Sequence, residues 1–268
     1  MSSRADIVHI VNASQPTPGA QVVGRLADVL RGLSTRMPGG AGTSEIARAA
    51  GLARPTAHRL LTALAAEGFV DRDHQTGRWL LGPELYLLGA VAAERYDVTE
   101  IAREHVAALA DETGESAFFS VRRGNETVCL VRQDGDFPIR SFVLYEGKRF
   151  PLGVASAGLA ILSFLPHDAV DRYLAEAQLS AEYGEEHADW AVRERIEETR
   201  RLGYALNPGL VVEGSWGMGA AVFSPSGQPA WALSLTGIEP RFGPEQQPRL
   251  GRLLLTHAHR LTEQLARR

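Results

Sequence analysis

The segment Pro55 to Glu67 constrains this chain more than any other, because it fixes one amphipathic helix between two punctuation points. Pro55 suits a first helical position and Gly68 a helix stop. Ala57, Leu60, Leu61 and Leu64 recur at i, i+3, i+4 and i+7, so one face must meet a core. Arg59, Thr62, Ala63 and Ala66 fall on the other side, flanked by Thr56 and His58. The neighbouring sequence supplies that core. Gln21 to Ser34 carries Val22, Val23, Leu26, Val29, Leu30 and Leu33 at helical spacing. A short helix over 44–50 has Thr43 as its expected N-cap, Glu45 in its first turn and Gly51 as its stop. The turn Ala50-Gly51-Leu52-Ala53 leads into the third helix. Downstream, Phe69-Val70 and Trp79-Leu80-Leu81 flank a turn at Thr76-Gly77, the pattern of a two-stranded hairpin.

Three helices and a hairpin predict a winged helix-turn-helix. There the third helix packs one face on its domain and offers the donors and small side chains of the other to a major groove. Arg54 and Thr56 stand at its N-terminal end, where such helices meet base edges. Periodicity alone fits an ordinary bundle helix equally well; the spacing of the three helices, the hairpin and the local charge favour the groove. Residues 20–82 hold eight Arg against five acidic residues, net +3, whereas residues 83–268 hold 19 basic and 26 acidic ones, net −7. The overall charge of −4 therefore hides a basic module joined to an acidic one.

Pro83 opens a further helix, expected to reach Tyr96, and another is expected from Val98 to Glu112. From Ser116 the pattern turns strand-like, over Ala117–Val121, Thr127–Arg132 and Ile139–Leu144. A small-residue helix after Gly153, helices near 167–177 and 189–201, strands over 218–223 and 231–236, and a long helix from Pro244 follow. The second half is thus expected to be an α+β domain. Two features there admit two readings each. The run Ser156-Ala157-Gly158 at a helix start leaves room and backbone N–H groups for a small anion, or serves close helix-to-sheet packing. Trp231, Leu233 and Leu235 alternate with Ala232, Ser234 and Thr236, beside a strand poor in bulk from Gly217. The small face is either a pocket floor or a solvated surface.

The run Thr43-Ser44-Glu45-Ile46-Ala47, with Gly51-Leu52-Ala53-Arg54-Pro55-Thr56-Ala57-His58-Arg59-Leu60-Leu61, resembles the helix-turn-helix of the IclR family of bacterial regulators. Glu67-Gly68-Phe69-Val70 and Thr76-Gly77-Arg78-Trp79-Leu80-Leu81-Gly82 resemble that family's wing, and the likeness extends over about residues 20–265. The punctuation of Ser14, Pro16, Pro18 and Gly19 reads as a flexible extension (1–19), and after it the likeness implies an N-terminal winged helix-turn-helix domain (20–82). A linker helix (83–97) would join it to a GAF-like α+β effector domain (98–268). It further implies that Arg54, Thr56, His58 and Arg59 face double-stranded DNA, and that Arg25, Arg72 and Arg78 meet phosphate. Ser156, Ala157, Asn207, Gly217, Ser234 and Thr236 are the implied effector site. The expected partners are a pseudo-palindromic operator, a small-molecule effector that is an organic acid or aromatic metabolite, and a second copy in a homodimer or dimer of dimers. The family often has Ser at the position of Pro55, Lys at that of Leu159, Cys at that of Gly217 and an acidic residue at that of Asn207. The pocket is accordingly expected to be roomier and less charged than in relatives that sense small keto or hydroxy acids. Trp216 either lines a larger or aromatic ligand or anchors the core.

Other classes find little support. No apolar run approaches the roughly 20 residues of a membrane span. The patch Ile7 to Val11, broken by His9, is too short for a signal peptide, so cytoplasmic residence is expected. The single cysteine, Cys129, excludes a disulfide framework and a Cys-rich zinc site, and reads as a buried, inert strand residue. Glu213 breaks the nucleophile-elbow pattern before Ser215. His257 and His259 fall on different helix faces, and Glu185-Glu186-His187 reads as a solvated loop rather than a metal site. No phosphate-binding Gly loop occurs. No enzyme, cofactor or metal is expected. The alternative from another class is a small-molecule-binding or hydrolytic protein whose N-terminal domain mediates protein contacts.

Overall fold

The computed structural model describes residues 21–93 and 98–267. The expected extension over 1–19 and the end of the linker helix, 94–97, lie outside the described residues. The chain divides into two compact units between Asp97 and Val98.

The first unit contains α1 (Gln21–Ser34), α2 (Thr43–Ala49), α3 (Arg54–Ala66), β1 (Val70–Arg72), β2 (Trp79–Leu81) and α4 (Pro83–Ala93). Val29, Leu33, Ile46, Leu61, Leu64, Val70 and Trp79 close one core between the helices and the hairpin. Burying each large apolar side chain contributes roughly 1.5–3 kcal/mol, which is what holds a helix as short as α2 in place. Strands β1 and β2 pair antiparallel, Val70 opposite Leu81 and Arg72 opposite Trp79. Thr43 is not the N-cap of α2. That place belongs to Gly42, whose N–H donates to the Glu45 carboxylate at 2.6 Å. The Thr43 hydroxyl instead accepts the Trp79 indole N–H at 2.9 Å and ties α2 to the hairpin.

The second unit contains α5 (Val98–Thr113), β3 (Ser116–Arg123), β4 (Glu126–Gln133), β5 (Arg149–Pro151) and α6 (Ser156–Ser163). Then come α7 (His167–Ala177), α8 (Leu179–Tyr183), α9 (Asp189–Leu202), β6 (Ala205–Pro208), β7 (Ser215–Phe223), β8 (Pro229–Ile238) and α10 (Gln247–Ala266). All six strands form one antiparallel sheet in the order β5-β4-β3-β8-β7-β6. Alternation along the strands splits it into two faces. Ala117, Phe119, Met218, Ala220, Leu233 and Leu235 pack with Leu109, Leu254 and Leu261 of α5 and α10. Phe118, Ala221 and Ala232 face the other way, toward α6, α7 and α9.

Two expectations fail in the second unit, and two short elements escape the sequence pattern. Ile139–Leu144 is no strand; residues 134–148 form a loop, and the edge strand is the three-residue β5. The loop holds Gly135, Pro138 and Gly147, and Pro138 has no N–H for a sheet ladder. The short strand β6 and helix α8 escape sequence periodicity because each spans five residues or fewer. His187 is not solvated but 1% exposed. Its ring nitrogens lie 3.0 Å from the Tyr183 carbonyl and 3.3 Å from that of Val154. Among the described residues no helix is long and apolar enough to cross a membrane.

Candidate functional site

In the first unit α3 presents two unlike faces. Ala57, Leu61 and Leu64 are buried, whereas Arg54, His58, Arg59, Thr62, Ala63 and Ala66 are exposed and Thr56 half-buried. Arg25 is exposed on α1. The helix starts without a side-chain cap, at Ala53, with Pro55 in its first turn. Its first N–H groups therefore remain open beside Arg54 and Thr56.

The hairpin is built against that helix. Trp79 is the hub: its ring meets the His58 imidazole edge-on at 6.4 Å and carries the Arg72 guanidinium at 5.5 Å. Arg72 is held near the surface with its charge exposed. Arg78, expected to meet phosphate, is engaged within the unit. Its guanidinium donates to the Gly39 carbonyl at 2.9 Å and the Gly40 carbonyl at 2.8 Å, and reaches Glu45 at 3.3 Å. Gly40 has φ +64, and a Cβ there would lie 2.4 Å from the Trp79 carbonyl, so the clamped loop admits only glycine. The Gly42 N–H, then Arg78, hold the Glu45 carboxyl below its ordinary pKa. Arg78 thus positions the loop before α2 and fixes the hairpin to it.

In the second unit the six implied effector residues, dispersed over 80 positions, surround one cavity. Its floor comes from the α6-facing side of the sheet. Gly217 stands opposite Thr236 and Gly219 opposite Ser234, so no side chain of β7 covers those two hydroxyls. The same glycines admit the start of α6: a Cβ at Gly219 would lie 2.7 Å from the Ser156 carbonyl oxygen, and one at Gly217 3.1 Å from Ser156 Oγ. Ala155 begins α6 without a side-chain cap, so Ser156 and Ala157 bring uncapped N–H groups and the positive helix end to the cavity. Ser120, Thr127, Phe150 and Trp216 complete much of the wall, and none of the lining side chains is charged.

One observation marks this cavity as more than a packing gap. Ser234 Oγ and Thr236 Oγ1 are buried without a hydrogen-bond partner. Such orphaned hydroxyls are few in native proteins, and each costs about 1–3 kcal/mol to leave unmet. Asn207, by contrast, is committed: Nδ2 donates to the Val154 carbonyl at 2.7 Å, and Oδ1 accepts the Leu210 N–H at 3.1 Å. It shapes the rim beside the start of α6. The cavity volume is ≈ 30 Å³, and Val143, Leu144 and Phe150 stand in its wall.

Sequence reasoning missed Ser120, Thr127, Val143, Leu144 and Ser215 in the wall; a lone hydroxyl or aliphatic residue on a strand or loop carries no pattern. It also missed a buried pair, His105 and His257, whose Nδ1 atoms lie 3.0 Å apart between α5 and α10. Cys129 is buried as expected, its thiol pushed up to about 12 chiefly by burial. Among the described residues no group of three or more His, Cys, Asp or Glu could hold a metal ion.

Comparison with known proteins bears on both units. The profile of the IclR helix-turn-helix domain matches residues 22–74, and that of the bacterial transcriptional regulator IclR C-terminal domain matches residues 90–263. The HTH-type transcriptional repressor AllR of Klebsiella pneumoniae is 27% identical over 248 residues, covering 92% of this chain and 90% of that one. The crystal structure of an IclR transcriptional regulator from Alicyclobacillus acidocaldarius, 25% identical, covers 94% of this chain and all of that one with a TM-score of 0.75. An IclR homologue from Microbacterium hydrocarbonoxydans, complexed with 4-hydroxybenzoate, shares the fold at 22% identity and a TM-score of 0.74, with 92% and 100% covered.

Proposed function

This chain belongs to the IclR family of bacterial transcriptional regulators, and we propose that it is a DNA-binding regulator whose operator affinity is set by a small organic or aromatic acid. The observation that carries the reading is one of composition within a single chain. An exposed cationic helix face occupies one unit, and a charge-free cavity with two orphaned hydroxyls occupies the other. Arg54, Thr56, His58 and Arg59 read base edges, Arg25 and Arg72 neutralise phosphate, and Arg78 holds the hairpin in register with α2. The effector's carboxylate lies at the α6 start by Ser156 and Ala157, within reach of Ser234 and Thr236, and its apolar body lies against Phe150 and Trp216.

A second copy of the chain completes the reading head. Tyr86, Leu87, Leu88 and Val91 of α4 are 50–78% exposed. An apolar face of this kind in a helix calls for a partner, and two heads related by twofold symmetry match a pseudo-palindromic operator. The effector shifts the balance between states of the dimer that differ in operator affinity.

The test is operator binding by fluorescence anisotropy across a salt series. Neutralising phosphates makes log K fall linearly with log[salt], and Arg72→Ala should lower that slope by about one while weakening all sequences alike. A salt-independent interaction would instead support the reading in which the N-terminal unit binds protein.

A further inference from the structure

The cavity is built for a ligand yet, as it stands, holds no more than a water or two. A benzoate-sized acid needs several times ≈ 30 Å³. One wall of the cavity is the loop between β4 and β5. Val143 and Leu144 line the cavity, and Leu144, 7% exposed, sits in the same apolar cluster as Phe118, Phe150 and Ala157. Ile139, Phe142 and Tyr145 point outward, 56%, 74% and 41% exposed.

The attachment of this segment is uneven. At one end the Phe137 N–H donates to the Gly114 carbonyl at 3.0 Å, and Gly135 is wedged so tightly that a Cβ would lie 2.3 Å from the Gly114 carbonyl carbon. At the other end the Gly147 N–H donates to the Cys129 carbonyl at 2.8 Å, with φ +84 at Gly147. Between them, among the described residues, positions 138–144 make no backbone-to-backbone hydrogen bond. Side chains hold the middle. Ser141 Oγ lies 2.6 Å from Ser215 Oγ, at the start of β7 in the cavity wall, and accepts the Val143 N–H at 3.3 Å. Arg140 ties the near end to Asp134 and the Gly135 carbonyl.

We propose that residues 138–146 form a lid over the pocket, that the Ser141–Ser215 hydrogen bond is its latch, and that Leu144 is a plug whose size selects the ligand. Closed and empty, Leu144 stands where the effector's apolar body goes. Opening breaks the Ser141–Ser215 bond, the 3.3 Å bond from the Arg132 N–H to the Glu146 carboxylate and the Arg132–Phe142 contact, but no ladder, so the segment belongs to the less stable parts of its unit. Ligand and plug compete for one volume, and the ligand's affinity is reduced by the fraction of molecules in which the plug is in place. This inference rests on the reading of the cavity as an effector site.

The lid is tested on the full chain by hydrogen–deuterium exchange, which needs no ligand. Amides 139–144 should exchange faster than those of Cys129 and Val131, and Ser141→Ala should speed the lid amides about fivefold, the worth of one ordinary hydrogen bond, without changing β4. Lid amides as slow as β4, or unmoved by Ser141→Ala, overturn the lid. The plug is tested by calorimetric titration with 4-hydroxybenzoate. Leu144→Ala should bind it at least several-fold more tightly than wild type, and Leu144→Val should fall between. If Leu144 is merely a wall, both variants bind more weakly, which overturns the plug. Absence of binding to wild type and variants alike, with fast latch-dependent exchange, leaves the lid standing and counts against that acid as the ligand class.

Discussion

The outer face of α3 and the floor of the cavity are made by the same device, alternation of large apolar with small or polar residues, yet they put their chemistry in opposite places. Along α3 the apolar positions enter the core and Arg54, His58 and Arg59 are left in water. Along β8 both faces are covered, so Ser234 and Thr236 are enclosed without partners. The comparison separates two ways of holding a function. A surface face adds its charges at little cost to the fold, whereas an enclosed one lowers stability and keeps that deficit until something binds.

The largest effect expected is on independence. Leu61 is fully buried in the first unit, and Leu61→Ala should remove about 2–5 kcal/mol from it, abolishing DNA binding. Calorimetry should show the transition of residues 98–268 unmoved; a joint collapse would merge the two regions the comparison keeps apart. Next, Arg59→Ala and Arg78→Ala should part company. The first should cost about 1–3 kcal/mol of operator affinity with an unchanged melting temperature. The second should lower both, since Arg78 holds Gly39, Gly40 and Glu45.

Smaller, and opposite in sign, is the effect at the enclosed site. Ser234→Ala removes an orphaned hydroxyl and should raise the thermal stability of the second unit, by about 1 kcal/mol, while abolishing the effector response. A fall in stability would mean the hydroxyl has a partner, and the contrast between exposed and enclosed chemistry would fail.

The smallest effect is in acid. Burial, and then Arg195, holds His187 below its ordinary pKa, and burial, with a contribution from His105, does so for His257. The unfolded chain then takes up protons first, so stability of the second unit is complete above about pH 6.5 and declines as pH falls through that value toward the folded pKa values. Glu115, raised by burial, opposes this only nearer the carboxylate range. In the first unit Glu45 and Asp73 are lowered by backbone N–H donors, so their contribution is present above about pH 4 and lost below it. Mild acid should therefore depress the second thermal transition and leave the first; equal depression would contradict it.

The same contrast explains what the sequence reveals. Helix α1 emerged at its observed bounds, and α3 and the hairpin within a residue or so, because local spacing, Pro55, Gly68 and Thr76-Gly77 encode them without reference to distant residues. The small faces of β7, β8 and α6 were also legible, since Gly, Ala and Ser in a strand or helix start are conspicuous. What closes the cavity was not. Ile139–Leu144 has the composition of a strand but no partner at that register, and its inward residues are set by Ser141 meeting Ser215, 74 positions away. His187 follows two glutamates in a polar stretch, and the carbonyls of Tyr183 and Val154 hold it in the core. Asn207 lines the cavity, and the partners of its amide, backbone groups at Val154 and Leu210, carry no local sequence pattern.

The most direct test of the account is an electrophoretic shift of DNA lying upstream of the protein's own coding sequence, repeated with a panel of small organic and aromatic acids. The account predicts a saturable, sequence-selective shift that at least one acid releases or strengthens in the wild type and that none alters in Ser234→Ala. Folded protein that binds no upstream fragment selectively at low salt, or an acid response that survives Ser234→Ala undiminished, would contradict it.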